Sequence, residues 1–185
     1  MPSERRTALV LVDVLNGFFH PDGAMWYAEV ERVVPALEQL LSRARAAQSL
    51  VVHVADRHRP DVADHEWSVI PEHLARGGFD AEFFAGFQPS SSEPVVEKRR
   101  YSAFFATDLA ILLREHRVET IIVAGVKTNV CIRATATDGL AHGFDVVIPR
   151  EATNSNRPHL EAASIEDLER YIARVVPLAD ALEML

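Results

Sequence analysis

The chain has one cysteine, Cys131, among 185 residues. That count excludes an internal disulfide and the cysteine-rich zinc motifs, and it fits a reducing, cytoplasmic setting. No apolar run approaches the roughly 18 to 20 residues that a bilayer span requires. The opening stretch Met1 to Thr7 has no apolar leader region. Basic residues are also in deficit: 19 Lys and Arg against 27 Asp and Glu leave a formal charge of -8. Such a balance argues against nucleic acid or an anionic membrane as a partner. Internal repeats and low-complexity linkers are lacking as well. What remains is ordinary globular composition, 48% apolar and 25% charged. Residues 1–185 are enough for a single domain that buries its core without staples.

Apolar β-type runs alternate with helical periodicity along the chain. Ala8 to Val12 is a continuous apolar run ending at Asp13, as expected for a strand buried on both faces. Leu50 to Ala55, Pro94 to Glu97, Thr120 to Ala124, Asp145 to Pro149 and Val175 to Leu178 supply five more predicted strands. Between them, Val33 to Ala47 carries Val33, Leu37, Leu40, Leu41 and Ala44 at helical spacing. Thr107 is placed to cap a helix with Leu109, Leu112 and Leu113 inward. Cys131 to His142, closed by Gly143, and Leu160 to Arg174 are the remaining helices. This order predicts an α/β fold, a three-layer α/β/α sandwich around a six-stranded, mostly parallel, Rossmann-like sheet. Asn16 to Met25 and His58 to Phe79 are the two longest irregular stretches and so candidate active-site loops.

Ligands of open parallel sheets gather at the carboxyl ends of the strands. Three reactive side chains fall there: Asp13, Lys98 and Cys131. A thiol at a helix start sits among unpaired N–H groups, which favour thiolate and can hold an oxyanion. Asp13 is then a general base and Lys98 a fixed positive charge. Each residue also has a plain alternative: a buried small apolar Cys, a capping Asp, a solvated Lys in a charge run. Use of Asp13 as a phosphoryl acceptor, as in haloacid-dehalogenase-like phosphatases, requires a second Asp where this chain has Leu15.

A second constellation follows the second strand. Asp56 and His58 are two residues apart, and His73 lies further along the same loop. One carboxylate and two imidazoles suit a single divalent metal, Zn²⁺ or else Mn²⁺ or Fe²⁺, with open positions. His65 matches no ligand position. No organic cofactor is indicated.

The segments Leu9-Val10-Leu11-Val12-Asp13 with Phe18, Glu97 to Phe104, Gly125-Val126-Lys127-Thr128-Asn129-Val130-Cys131, Arg133 to Gly139 and Glu151-Ala152-Thr153 carry a resemblance. Over nearly its whole length the chain resembles the isochorismatase-like cysteine hydrolases, the superfamily of nicotinamidases, N-carbamoylsarcosine amidases and ureidoacrylate amidases. The resemblance implies a catalytic triad of Asp13, Lys98 and Cys131. It implies a non-proline cis peptide at Val126-Lys127 and an oxyanion hole from the backbone N–H groups of Lys127 and Cys131. It also implies a catalytic metal at the Asp-x-His and Pro-x-His positions, and a homodimer or homotetramer. The chain departs from the pattern at Leu15, where many relatives have Gln, at Lys127, where the residue is usually small, and at Ile70, usually aromatic.

The expected activity is cysteine-dependent hydrolysis of a small, nicotinamide-like amide through a thioester, with release of ammonia. Phe18, by family position, and Trp67, Tyr101 and Phe104 are candidate pocket walls. An alternative is a metal-independent ureide or N-carbamoyl hydrolase, with Asn129 and Arg133 holding the substrate's carboxylate or carbonyl. A third reading, of another class, is a non-catalytic binding domain on the same fold.

Overall fold

The computed structural model describes residues 6–185; the start of the stretch read for a leader, residues 1–5, lies outside them. The central strand β1 (Arg6–Val12) is the Arg-Thr-Ala-Leu-Val-Leu-Val run. It pairs in parallel with β2 (Leu50–Asp56) on one side and β4 (Val118–Val126) on the other. Further out lie β3 (Val95–Lys98), β5 (Asp145–Pro149) and β7 (Arg174–Val176), giving the order β3-β2-β1-β4-β5-β7. These six are the expected strands, and every pairing among them is parallel. A seventh, β6 (Thr153–Asn154), has two residues and pairs with the end of β4; sequence periodicity offers nothing to detect at that length.

Alternate residues of β1 face opposite layers. Leu9 and Leu11 pack with Leu37, Leu40, Leu41 and Ala44 of α2 (Val34–Ala46). Ala8, Val10 and Val12 pack instead with Leu109 and Leu113 of α3 (Leu109–Glu115), Ala136 of α4 (Arg133–Ala141) and Leu168 of α5 (Pro158–Tyr171). Each such fully buried leucine or valine side chain contributes about 1.5–3 kcal/mol relative to exposure. Leu112, expected inward, is only half-buried. Thr107 Oγ1 accepts from the Leu109 N–H at 3.3 Å, although Asp108 is the residue flanking the helix.

Three local expectations are corrected. The last strand stops at Val176, and Leu178–Glu183 forms a short helix, α6, after Pro177. The first irregular stretch contains the one-turn helix α1 (Asn16–Phe19), and the second a 3₁₀ turn at His65–Ser68. The helix expected from Cys131 begins earlier and differently: Thr128–Ile132 is a π turn that runs into α4. Among the described residues no helix is long and apolar enough to cross a membrane.

The strand order reverses direction between β1 and β4, so a crevice opens at their carboxyl ends. The two strands approach closely there. Gly125, with φ +122°, lies opposite Val12, and a Cβ at this position would overlap the Val12 carbonyl. Only glycine fits.

Candidate active site

Asp13 is the first residue past β1 and adopts a left-handed backbone conformation, φ 57°. Its N–H donates to the Val54 carbonyl at 2.9 Å, and its Oδ1 accepts from the Asp56 N–H at 2.9 Å. The carboxylate is thereby pinned across the ends of β1 and β2. Lys98 ends β3, in register with Asp56, and its long side chain reaches across β2. Its Nζ is 2.9 Å from Asp13 Oδ2 and 3.2 Å from Asp56 Oδ2, and it donates to Cys131 Sγ at 3.5 Å. Three strand ends thus meet at one sulfur, with Asp13 0%, Lys98 1% and Cys131 5% exposed.

Burial dominates the electrostatics. It pushes the Cys131 thiol well above its ordinary value, against the opposing charge of Lys98. Burial thus works against the thiolate that a helix start favours, and the Lys98 charge works for it. Burial raises Asp13 too, with Lys98 opposing. Burial would lower Lys98, but Asp13, Cys131 and Asp56 hold its ammonium well above the ordinary range. The group is one proton-sharing unit around a permanent cation.

The Val126-Lys127 peptide is cis. The Lys127 carbonyl then accepts from the N–H groups of Val130 and Ile132, at 3.0 and 3.2 Å, which closes the π turn around Cys131. Thr128 and Thr153 hydroxyls, 2.8 Å apart, tie that turn to β6.

Asp56, His58 and His73 come together as expected, and Glu66 joins them; ligand atoms of all four lie within 4.8 Å of one another, and all four residues are buried. His58 Nδ1 is 3.0 Å from Asp64 Oδ2, and His73 Nδ1 is 2.7 Å from the Pro71 carbonyl. Both contacts leave Nε2 as the lone pair facing the cluster. Asp56 Oδ1, His58 Nε2 and both Glu66 carboxylate oxygens have no hydrogen-bond partner. Orphaned donors of this type converging on one point fit a divalent metal. Asp64, in turn, is held below the usual carboxylate range, against burial, by the Glu66 N–H, His58 and Arg100. Glu66 escaped sequence reasoning because loop positions carry no periodicity; its neighbour His65 is the exposed one.

A cavity of about 120 Å³ connects the two groups, lined by Phe18, Met25, Asp56, Glu66, Ile70, His73, Tyr101, Lys127, Val130 and Cys131. Phe18 and Tyr101 are walls of it, as expected. Two expectations are corrected. Trp67 packs against His58, ring centroids 5.5 Å apart, and is not among the lining residues. Phe104 stacks on His142 and Phe144 in the layer beneath the sheet, where its apolar ring is covered. Asn129 lines an adjoining groove with Tyr101 and Arg133, and Arg133 is paired to Asp167 at 2.7 Å.

Residues 7–180 match the Isochorismatase domain model. Maleamate amidohydrolase of Pseudomonas putida is 36% identical over 98% of this chain and 87% of its own length. A cysteine hydrolase from Pseudomonas syringae pv. phaseolicola superposes with a TM-score of 0.91 at 29% identity, covering 97% of this chain and 92% of that one. A pyrazinamidase of Pyrococcus horikoshii, solved in complex with zinc, superposes at 0.84 with 28% identity, covering 93% and 99%. This α/β sandwich, with its reactive groups at the strand ends, is a hydrolase of carbon–nitrogen bonds. The chain belongs to the isochorismatase family.

Proposed function

We propose that the protein is a cysteine amidohydrolase that cleaves a small amide through a thioester on Cys131. The observation that supports this most is the meeting of Asp13, Lys98 and Cys131, joined through the Lys98 ammonium, beside a cavity that Cys131 lines. Cys131 Sγ attacks the amide carbonyl while Asp13 takes the thiol proton. The oxyanion rests on the N–H groups of Lys127 and Cys131. Asp13 returns the proton to the amine, the C–N bond breaks and ammonia leaves. Water, deprotonated by Asp13, then opens the thioester to the carboxylate and regenerates the thiol. Lys98 keeps its charge throughout and holds Asp13 in line.

Asp56, His58, Glu66 and His73 would hold a divalent cation, with Asp64 orienting His58. Bound there, such an ion supplies Lewis acidity beside the cavity, and the zinc-bound pyrazinamidase is in keeping with it. At about 120 Å³ the cavity is well below the roughly 300–1,000 Å³ of pockets that take drug-sized ligands. The acyl part of the substrate is accordingly a handful of heavy atoms.

The test is ammonia release from a panel of small amides (nicotinamide, pyrazinamide, maleamate) with and without chelator. Turnover lost in Cys131→Ala, whose circular dichroism matches wild type, supports the reading. Ammonia release retained by that variant refutes it.

A further inference from the structure

Among the described residues that line the cavity, Lys127 is the one lysine or arginine. Its ammonium lies between two aromatic rings, with Nζ 5.8 Å from the Phe18 centroid and 5.1 Å from that of Tyr27. Tyr27 is itself fixed, its hydroxyl 2.7 Å from Asn154 Oδ1. Ring faces hold a cation in place but accept no hydrogen bond of carboxylate strength. Among the described residues no carboxylate lies within ion-pair distance of Lys127, whereas Lys98 has two. Burial lowers Lys127 from its ordinary value, with Cys131 opposing and the charge of Arg157 adding to it. Lys127 is thus a half-buried lysine with no carboxylate partner, and it lines the same small cavity as the nucleophile.

We propose that Lys127 is the carboxylate-binding residue of this cavity, so that the substrate is the monoamide of a short dicarboxylic acid. The inference rests on the amidohydrolase reading above and names its substrate class. The amide end meets Cys131 while the anionic end meets Lys127, which fixes the carbonyl's orientation toward the sulfur. The cavity volume limits the chain between the two ends to a few carbons. The Lys127 backbone N–H and side chain thus act at opposite ends of one ligand.

The experiment compares maleamate with its neutral diamide, maleamide, in wild type, Lys127→Met and Lys127→Arg. Wild type is expected to favour the anion in kcat/KM by at least about 10-fold, and Lys127→Met to cut that ratio by about 10- to 100-fold, chiefly through KM. Lys127→Arg keeps the preference. A ratio that Lys127→Met leaves unchanged, or a wild-type preference for maleamide, overturns the proposal. A second arm needs no turnover: calorimetric binding of maleate to Cys131→Ala, with and without Lys127→Met. Lys127-dependent binding without ammonia release by wild type would remove the amidohydrolase reading and leave the carboxylate site. Turnover with maleate binding indifferent to Lys127 would remove the site alone.

Discussion

Replacing Lys98 by methionine takes one charge from the floor of the site and strands the carboxylates around it. Lys98 Nζ lies 2.9 Å from Asp13 Oδ2 and 3.2 Å from Asp56 Oδ2, with all three side chains buried. Methionine keeps most of the volume, so lost packing is a minor part of the cost. Removing one partner of a buried ion pair costs about 3–5 kcal/mol. Against a total stability of about 5–15 kcal/mol this is a large share. For a chain of this length it lowers Tm by roughly 6–20 °C. The assay is urea unfolding at pH 7.5 in chelator, so that no metal offsets Asp56. Asp13→Asn combined with Lys98→Met removes one of the two stranded charges and should cost at least about 1 kcal/mol less than the sum of the single changes. The pH dependence has a definite sign. Burial already raises Asp13, with Lys98 opposing; without Lys98 it rises further. A carboxyl whose folded value lies above its unfolded one stabilises the fold while protonated and loses that contribution as pH climbs through the folded value. The deficit of Lys98→Met therefore shrinks as pH falls. A variant within about 1 kcal/mol of wild type, with a gap that pH does not change, would contradict the reasoning.

Gly125→Ala drives a methyl into the Val12 backbone at a positive φ and should cost more than about 3 kcal/mol, read as a fall in Tm or loss of soluble protein; a near-neutral change would refute the close approach of β1 and β4. Glu93 is held at about 2, first by hydrogen bonds from Arg45, so its stabilisation is present above the ordinary carboxylate range and fades as pH falls through about 2. Glu93→Gln should accordingly unfold at a lower temperature than wild type at pH 7, with the difference closing near pH 2. Titration of chelated protein with Zn²⁺ should show one equivalent bound, and Asp64→Ala should weaken it 10- to 100-fold by freeing His58 Nδ1; equal affinity would dismiss the role given to Asp64.

The strands were readable because both faces of a parallel sheet are covered, which leaves long apolar runs such as Ala8 to Val12 and Thr120 to Ala124. Asp13 and Lys98 are placed by the strand ends they occupy, and Cys131 by the turn that follows β4 at the same edge of the sheet. The two-residue β6 and the helix α6 were not readable, since neither spans enough turns to show a period. Glu66 and Trp67 sit in a loop where orientation depends on tertiary contacts: one turns into the metal-type cluster and the other packs behind it. Phe104 lies one residue from a buried alanine, yet its ring goes to Phe144 in the core, because an apolar ring and a pocket wall look alike in sequence. Burial, which raises the Cys131 thiol, is a property of the assembled fold and not of the helix that carries it.

Thioester catalysis requires an acyl group carried on Cys131 during turnover. Mixing enzyme with a turned-over amide, quenching in acid within milliseconds and mapping the peptides by mass spectrometry tests it directly. The expected result is an adduct on the Cys131 peptide equal to the substrate mass less ammonia, discharged by hydroxylamine. Steady ammonia release with that peptide unmodified at every quench time would contradict it.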